Sequence, residues 1–186
     1  MTLPIGTLAP NFKTNDQDGK EVSLSTLKGK KIVLFFYPKD MTPGCTAEAC
    51  SLRDNYKALQ KAGYEVFGIS SDDGSRHKKF IEKEKLPFRL LADTDKSVHY
   101  QFGTWIEKSM YGRKYMGTAR VTYLIDEAGK IFDVIEKVDT KNHAQQILGG
   151  KIVVAKTKAT TKPVKKAVKK ITKKVVAKKA VKKARK

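Results

Sequence analysis

Residues 32–37 (Ile32-Val33-Leu34-Phe35-Phe36-Tyr37) form an unbroken apolar run between Lys30-Lys31 and Pro38. A run of that length without polar alternation predicts a strand covered on both faces. Residues 46–61 follow with helical spacing, Ala47, Cys50, Leu52, Tyr56 and Leu59 being among the less polar positions, and Gly63 stands where a C-terminal cap belongs. Residues 64–70 (YEVFGIS) read as a second strand and residues 75–85 as a second helix. Leu86-Pro87 stops that helix, because proline disfavours a helical conformation in the residue before it. Residues 88–92 predict a short strand, after which Asp93 caps a helix over roughly 95–102. Residues 121–125 and 130–138, joined by Asp126-Glu127-Ala128-Gly129, predict a β-hairpin, and a last helix spans about 140–148. Crossovers of the βα type followed by a hairpin predict an α/β fold with a central mixed sheet flanked by helices.

The pattern changes in kind after Gly149-Gly150. Residues 151–186 are largely Lys, Val, Ala and Thr, with no aromatic residue and one proline, Pro163. They carry 16 of the 39 Lys+Arg and none of the 19 Asp+Glu, so the formal charge of +20 falls to +4 over residues 1–150. Two segments are therefore expected: a near-neutral globular domain over 1–150 and a lysine-rich tail over 151–186. Lysine pairs recur at 165–166, 169–170, 173–174, 178–179 and 182–183, close to a helical turn apart, and Val164, Val168, Ile171 and Val175 share that period. Like charges at this density oppose a helix in water, so the tail is expected to be disordered, or helical once a polyanion neutralises it. Its charge points to sequence-independent nucleic acid binding, by charge alone since no ring is present to stack on bases. A solvated charge run and a membrane-surface contact are the alternatives; the lack of Trp or Phe anchors counts against the second.

No early segment resembles a signal peptide, and no stretch approaches the ~18 consecutive apolar residues of a membrane span. The expected compartment is the cytoplasm, with nucleoid association if the tail binds DNA. In that compartment a cysteine pair is more often catalytic, redox-sensing or metal-binding than a structural disulfide.

Cys45 and Cys50 are the two cysteines of the chain. Their C-x4-C spacing suits neither zinc nor a C-x-x-C dithiol, and His77, His99 and His143 are too scattered to complete a metal site, so each reads as a surface or packing residue. The pair could be two small buried hydrophobes on one helix. Against that, Pro43-Gly44 suit a tight turn that presents Cys45 at a helix start, where unpaired N–H groups and the helix dipole favour thiolate. Thr42 adds a hydroxyl for a polar substrate. Five residues of helix correspond to a rise of ~7.5 Å and a rotation of ~140°. A Cys45–Cys50 disulfide, with its ~7 Å limit between Cα atoms, therefore requires local unwinding.

The spacing P-x-x-x-T-x-x-C over Pro38, Thr42 and Cys45 resembles the active-site motif of peroxiredoxins. The string from Tyr37 to Thr46, with Cys50 five residues beyond Cys45, resembles the bacterioferritin-comigratory, or Q-type, subfamily. The resemblance continues through Phe67-Gly68-Ile69-Ser70, Gln101-Phe102-Gly103 and residues 120–126 (RVTYLID), and covers about residues 3–148. It implies a thioredoxin-like fold and a peroxidase acting on hydrogen peroxide and organic hydroperoxides in antioxidant defence. By the same resemblance Cys45 is the peroxidatic nucleophile and Cys50 the resolving thiol, the two joining in an intramolecular disulfide that a thioredoxin-type donor reduces. Thr42 orients the peroxide, Arg120 stabilises the developing charge, and Pro38 shields the site. No cofactor or metal is implied, and a monomer is expected because both thiols lie in one chain. On its own, Arg120 would read as a surface or salt-bridge arginine, and Thr42 as a turn residue. Glu48 is expected to be an exposed residue of the first turn. Trp105 and Tyr111 flank an expected loop, at the site rim or in the core. The competing class is a nucleic-acid-associated protein whose body is vestigial or a redox sensor.

Overall fold

Strands and helices alternate along the chain as β1 (Lys13–Asp16), β2 (Glu21–Ser23), β3 (Lys31–Phe36), α1 (Pro43–Asp54), α2 (Tyr56–Lys61), β4 (Tyr64–Ser70), α3 (Gly74–Glu84), β5 (Arg89–Ala92) and α4 (Ser97–Gln101). They continue as β6 (Trp105–Met110), β7 (Arg113–Thr118), β8 (Val121–Ile125), β9 (Ile131–Ile135) and α5 (His143–Ile147). The computed structural model describes residues 2–110 and 112–149. The expectations for Tyr111 and for residues 151–186 lie outside them. Seven strands make one sheet in the order β2-β1-β5-β4-β3-β8-β9, and β6 and β7 pair separately. β3, β4 and β5 are mutually parallel, and the flanking pairs are antiparallel. This is the mixed sheet flanked by helices that the sequence predicts, in a thioredoxin-like arrangement.

Alternation along β3 builds two cores. Ile32, Leu34 and Phe36 point to one face, with Leu24, Leu27, Val98 and Phe102. Val33, Phe35 and Tyr37 point to the other, where Cys45, Ala49 and Leu52 of α1 pack with Leu59, Phe80 and Ala144. With both faces covered, β3 has no polar face to present, which explains its unbroken apolar run. Gly68 in β4 lies opposite Phe35. A Cβ there would stand 2.6 Å from the Phe35 ring and 2.7 Å from Leu90, so the position has room only for glycine.

Several boundaries differ from expectation. The single helix over 46–61 is two, broken at Asn55, whose side chain donates to the Ser51 carbonyl at 2.9 Å. The first begins earlier, at Pro43, because proline at the first helical position sacrifices no hydrogen bond. Asp93 receives the Val98 and His99 amides at 3.1 and 2.8 Å, but α4 is shorter than the helix expected there. The last helix is likewise confined to α5. The loop expected around Trp105 is the β6–β7 hairpin, turning near Gly112 at φ +76°.

Candidate active site

β3 delivers the chain to a loop that is fixed from several sides. The Tyr37 amide donates to the Ile69 carbonyl at 3.1 Å, continuing the ladder one residue past β3. Asp40 is buried, and one carboxylate oxygen accepts from the Tyr37 hydroxyl at 2.6 Å while the other meets His77 Nδ1 at 2.7 Å. The Asp40 amide donates to Asp72 at 2.7 Å. Met41 takes the left-handed conformation, φ 58°, and turns the chain into Thr42, the N-cap of α1. The Thr42 hydroxyl donates to the Lys39 carbonyl at 3.0 Å, and the Thr42 carbonyl accepts the Thr46 amide at 2.8 Å. Pro38 is half-buried in the same loop.

Cys45 is the third residue of α1 and only 2% exposed. Its sulfur therefore sits in the first turn, near amides that have no partner within the helix. Arg120 arrives from far along the sequence. It precedes β8, and Val121 pairs with Phe36 at the end of β3, so the sheet register brings residues 75 apart in sequence together. Its Nη2 donates to Cys45 Sγ at 3.3 Å, and its Nη1 is ion-paired with Glu48. Burial works against the guanidinium charge, while Glu48 and Cys45 push its pKa above the ordinary value. Gly44 lies against the same guanidinium: a Cβ there would touch Nη2 at 3.4 Å, ordinary van der Waals contact.

Glu48 corrects an expectation: it is fully buried, not an exposed first-turn residue. Burial pushes its carboxyl up to about 7, against the downward pull of Arg120. Its Oε1 has no hydrogen-bond partner among the described residues and faces His143 Nε2 at 3.8 Å. Burial pushes His143 down to about 4, and Thr122 Oγ1 lies 3.0 Å from the same nitrogen. Sequence reasoning missed His143 as a neighbour of the site. It also missed Lys108, whose ammonium donates to the Thr118 carbonyl and is pushed down by its own burial and by Arg120. His77, His99 and His143 are all buried against polar partners, none on the surface. Trp105 packs edge-on against His99 at 5.9 Å between ring centres.

Cys50 lies on the same unbroken α1, and both thiols are free. Its Sγ donates to Glu84 Oε2 at 3.7 Å, across to the end of α3. Burial raises its pKa; Arg53 opposes that and Glu84 adds to it. The arrangement thus presents one thiol to a guanidinium at a helix start and holds the other against a carboxylate on a neighbouring helix. Among the described residues no cluster of His, Cys, Asp or Glu fits a metal ion, and no helix is long and apolar enough to cross a membrane.

The AhpC/TSA family pattern matches residues 5–134. The chain is 48% identical over 146 residues to peroxiredoxin Bcp of Escherichia coli K12, covering 78% of this chain and 94% of that protein. It is 43% identical over 148 residues to peroxiredoxin Bcp of Bacillus subtilis 168, covering 80% and 94%. Among solved structures it is similar to the bacterioferritin comigratory protein of Xanthomonas campestris, described for its alkyl peroxide reduction activity, with a TM-score of 0.71 at 31% identity over 75% of this chain and 88% of that one. With the family pattern spanning most of the chain and these relatives matched over nearly their whole length, this protein belongs to the AhpC/TSA family, among its Bcp-type peroxiredoxins.

Proposed function

We infer that this protein is a thiol-dependent peroxidase that reduces hydrogen peroxide and organic hydroperoxides in antioxidant defence. The observation that carries the reading is the Arg120 Nη2 contact to Cys45 Sγ at 3.3 Å, in the first turn of a helix. A cation and the positive end of a helix thus both face the one sulfur that acts as the nucleophile. The thiolate attacks the nearer peroxide oxygen, the O–O bond breaks, and Cys45 becomes a sulfenic acid while the departing alkoxide or hydroxide takes up a proton. Arg120, fixed by buried Glu48, stabilises charge as it develops on those oxygens. Thr42 orients the peroxide, and Pro38 keeps water from the sulfur. Alkyl peroxide reduction by the Xanthomonas relative supports the same substrate class here.

Cys50 then attacks the sulfenic sulfur, giving the Cys45–Cys50 disulfide and water after the start of α1 unwinds. A thioredoxin-type dithiol reduces that disulfide by exchange. Sulfur carries the electrons throughout, so the cycle calls on no cofactor. Both thiols lie in one chain, so the cycle can run in a monomer. Peroxide consumption coupled to a thioredoxin system tests the reading. Rapid turnover by the wild type, lost in Cys45→Ser, is expected; negligible wild-type turnover overturns it.

The body over 1–150 is followed by the 151–186 tail, which binds nucleic acid without sequence preference and places the enzyme in the cytoplasm at the nucleoid. Sixteen cationic residues in that segment support this, since each phosphate neutralised releases counterions. DNA retention that falls steeply with salt and vanishes when the chain ends at Gly150 is expected. Equal retention by both chains removes the tail reading and leaves the peroxidase reading untouched.

A further inference from the structure

The last residue of α3, Glu84, touches α1 twice. Its carboxylate accepts from the Cys50 thiol at 3.7 Å, and its main-chain carbonyl accepts from Arg53 Nη1 at 2.6 Å. The helix stops there because Lys85 turns left-handed at φ 53° and Leu86 donates back to the Ile81 carbonyl at 3.0 Å. The helix end that meets Cys50 is thus fixed by its own cap. On intact α1, Cys50 projects ~140° around the axis from Cys45. The thiol that must reach the sulfenic sulfur is held toward a different helix.

We propose that Glu84 is a positioning residue for the disulfide-forming step: it restrains Cys50 as a protonated thiol against α3, and releasing that contact is part of what unwinding α1 costs. The proposal rests on the reading of Cys50 as the resolving thiol. The step itself balances. The Cys50 sulfur bonds to the Cys45 sulfur, the S–O bond of the sulfenic acid breaks, and the hydroxyl leaves as water with the thiol proton. Cys50 is oxidised and the sulfenic sulfur reduced. Two consequences of the Glu84 carboxylate oppose this step. It anchors the donor thiol, and its negative charge disfavours the thiolate that attacks. Burial raises the Cys50 pKa first, with Glu84 and Asp54 adding to it and Arg53 of the same helix acting against it. Slow release of Cys50 leaves the Cys45 sulfenic acid exposed longer to a second peroxide, which carries it to sulfinic acid.

The test follows the Cys45–Cys50 disulfide after one equivalent of hydrogen peroxide, by rapid quench, alkylation and peptide mass spectrometry. Glu84→Ala removes the acceptor and the charge. It is expected to speed disulfide formation about threefold or more, the size of a weak hydrogen bond expressed as a rate. The same variant is expected to lower the sulfinic fraction under excess peroxide, with first-equivalent peroxide consumption unchanged. A rate equal to wild type, or a slower one, as if the carboxylate assisted by accepting the proton, overturns the proposal while leaving Cys50 as the resolving thiol. Absence of the intramolecular disulfide in the wild type overturns both. Should Glu84→Ala fold poorly, Glu84→Gln provides a second readout in a Cys45→Ser background. Iodoacetamide should alkylate Cys50 with a lower midpoint pH when Glu84 is Gln; an unmoved midpoint counts against the restraint.

Discussion

Replacing Glu48 by Gln should change how stability depends on pH, by an amount the site itself sets. Glu48 is buried with Arg120, and its carboxyl stands at about 7 in place of its ordinary 4.5. An acid raised by folding binds its proton more tightly in the folded state. The resulting stability is fully present below about 4.5 and lost as pH rises through about 7. At about 1.4 kcal/mol per pH unit the loss amounts to about 3 kcal/mol. His143, 3.8 Å away, is lowered from 6.5 to about 4 and acts with the opposite sign, costing stability as pH falls through that range. The two nearly cancel between about 4.5 and 6.5, so together they add little pH dependence there. Glu48→Gln keeps a side-chain carbonyl for Arg120 but removes the titration. Relative to wild type, the variant should therefore gain about 3 kcal/mol between pH 4.5 and pH 8. Urea unfolding at constant ionic strength, followed by far-UV circular dichroism, measures the difference. A constant offset between the two proteins at both pH values would refute the reasoning, because it would mean that Glu48 does not titrate in that window.

Arg120→Met should lower the rate of peroxide reduction by about two to three orders of magnitude, the loss seen when one charge-stabilising donor is removed, with stopped-flow peroxide reduction as the assay; a change under tenfold would contradict the role given to the Cys45 contact. Gly68→Ala should destabilise the fold by about 1–3 kcal/mol, since the new methyl enters space held by Phe35 and Leu90; an unchanged urea midpoint would show that these side chains move aside freely. Asp40→Asn leaves the Tyr37 and His77 contacts without their carboxylate, and it should slow peroxide reduction by disordering the loop that sets Thr42. Wild-type rates in that variant would show that the loop holds its shape without the charge.

The parts of this fold visible in the sequence are those decided by neighbours along the chain. The run Ile32 to Tyr37 has no polar face because its sheet is covered on both sides, and Pro43-Gly44 announces a helix start whose third residue is Cys45. The four-residue β1 and three-residue β2 are short and polar, so they carry no clear period, and only the pairing of β1 with β5, and of β2 with β1, makes them part of the sheet. The β6–β7 hairpin alternates charged and apolar residues too irregularly to stand out as strand pairing. Glu48 shows the limit most clearly. A glutamate near a helix start normally faces water, and nothing near it in sequence says otherwise. Its burial is set by Arg120, delivered by the β3–β8 register, and by His143 on α5. The motif resemblance located Arg120, but the carboxylate and imidazole behind it became visible only once distant strands were aligned.

Cys45 and Cys50 sit on one intact helix, yet peroxide is proposed to oxidise the first and the second to resolve it within the same chain. Intact-mass and peptide analysis after one equivalent of peroxide tests it directly. The wild type should lose two hydrogens and yield one cross-linked peptide joining Cys45 to Cys50, whereas Cys50→Ser should instead gain a single oxygen on Cys45. A wild type that keeps both thiols, or that links its cysteines only between chains, would contradict the account.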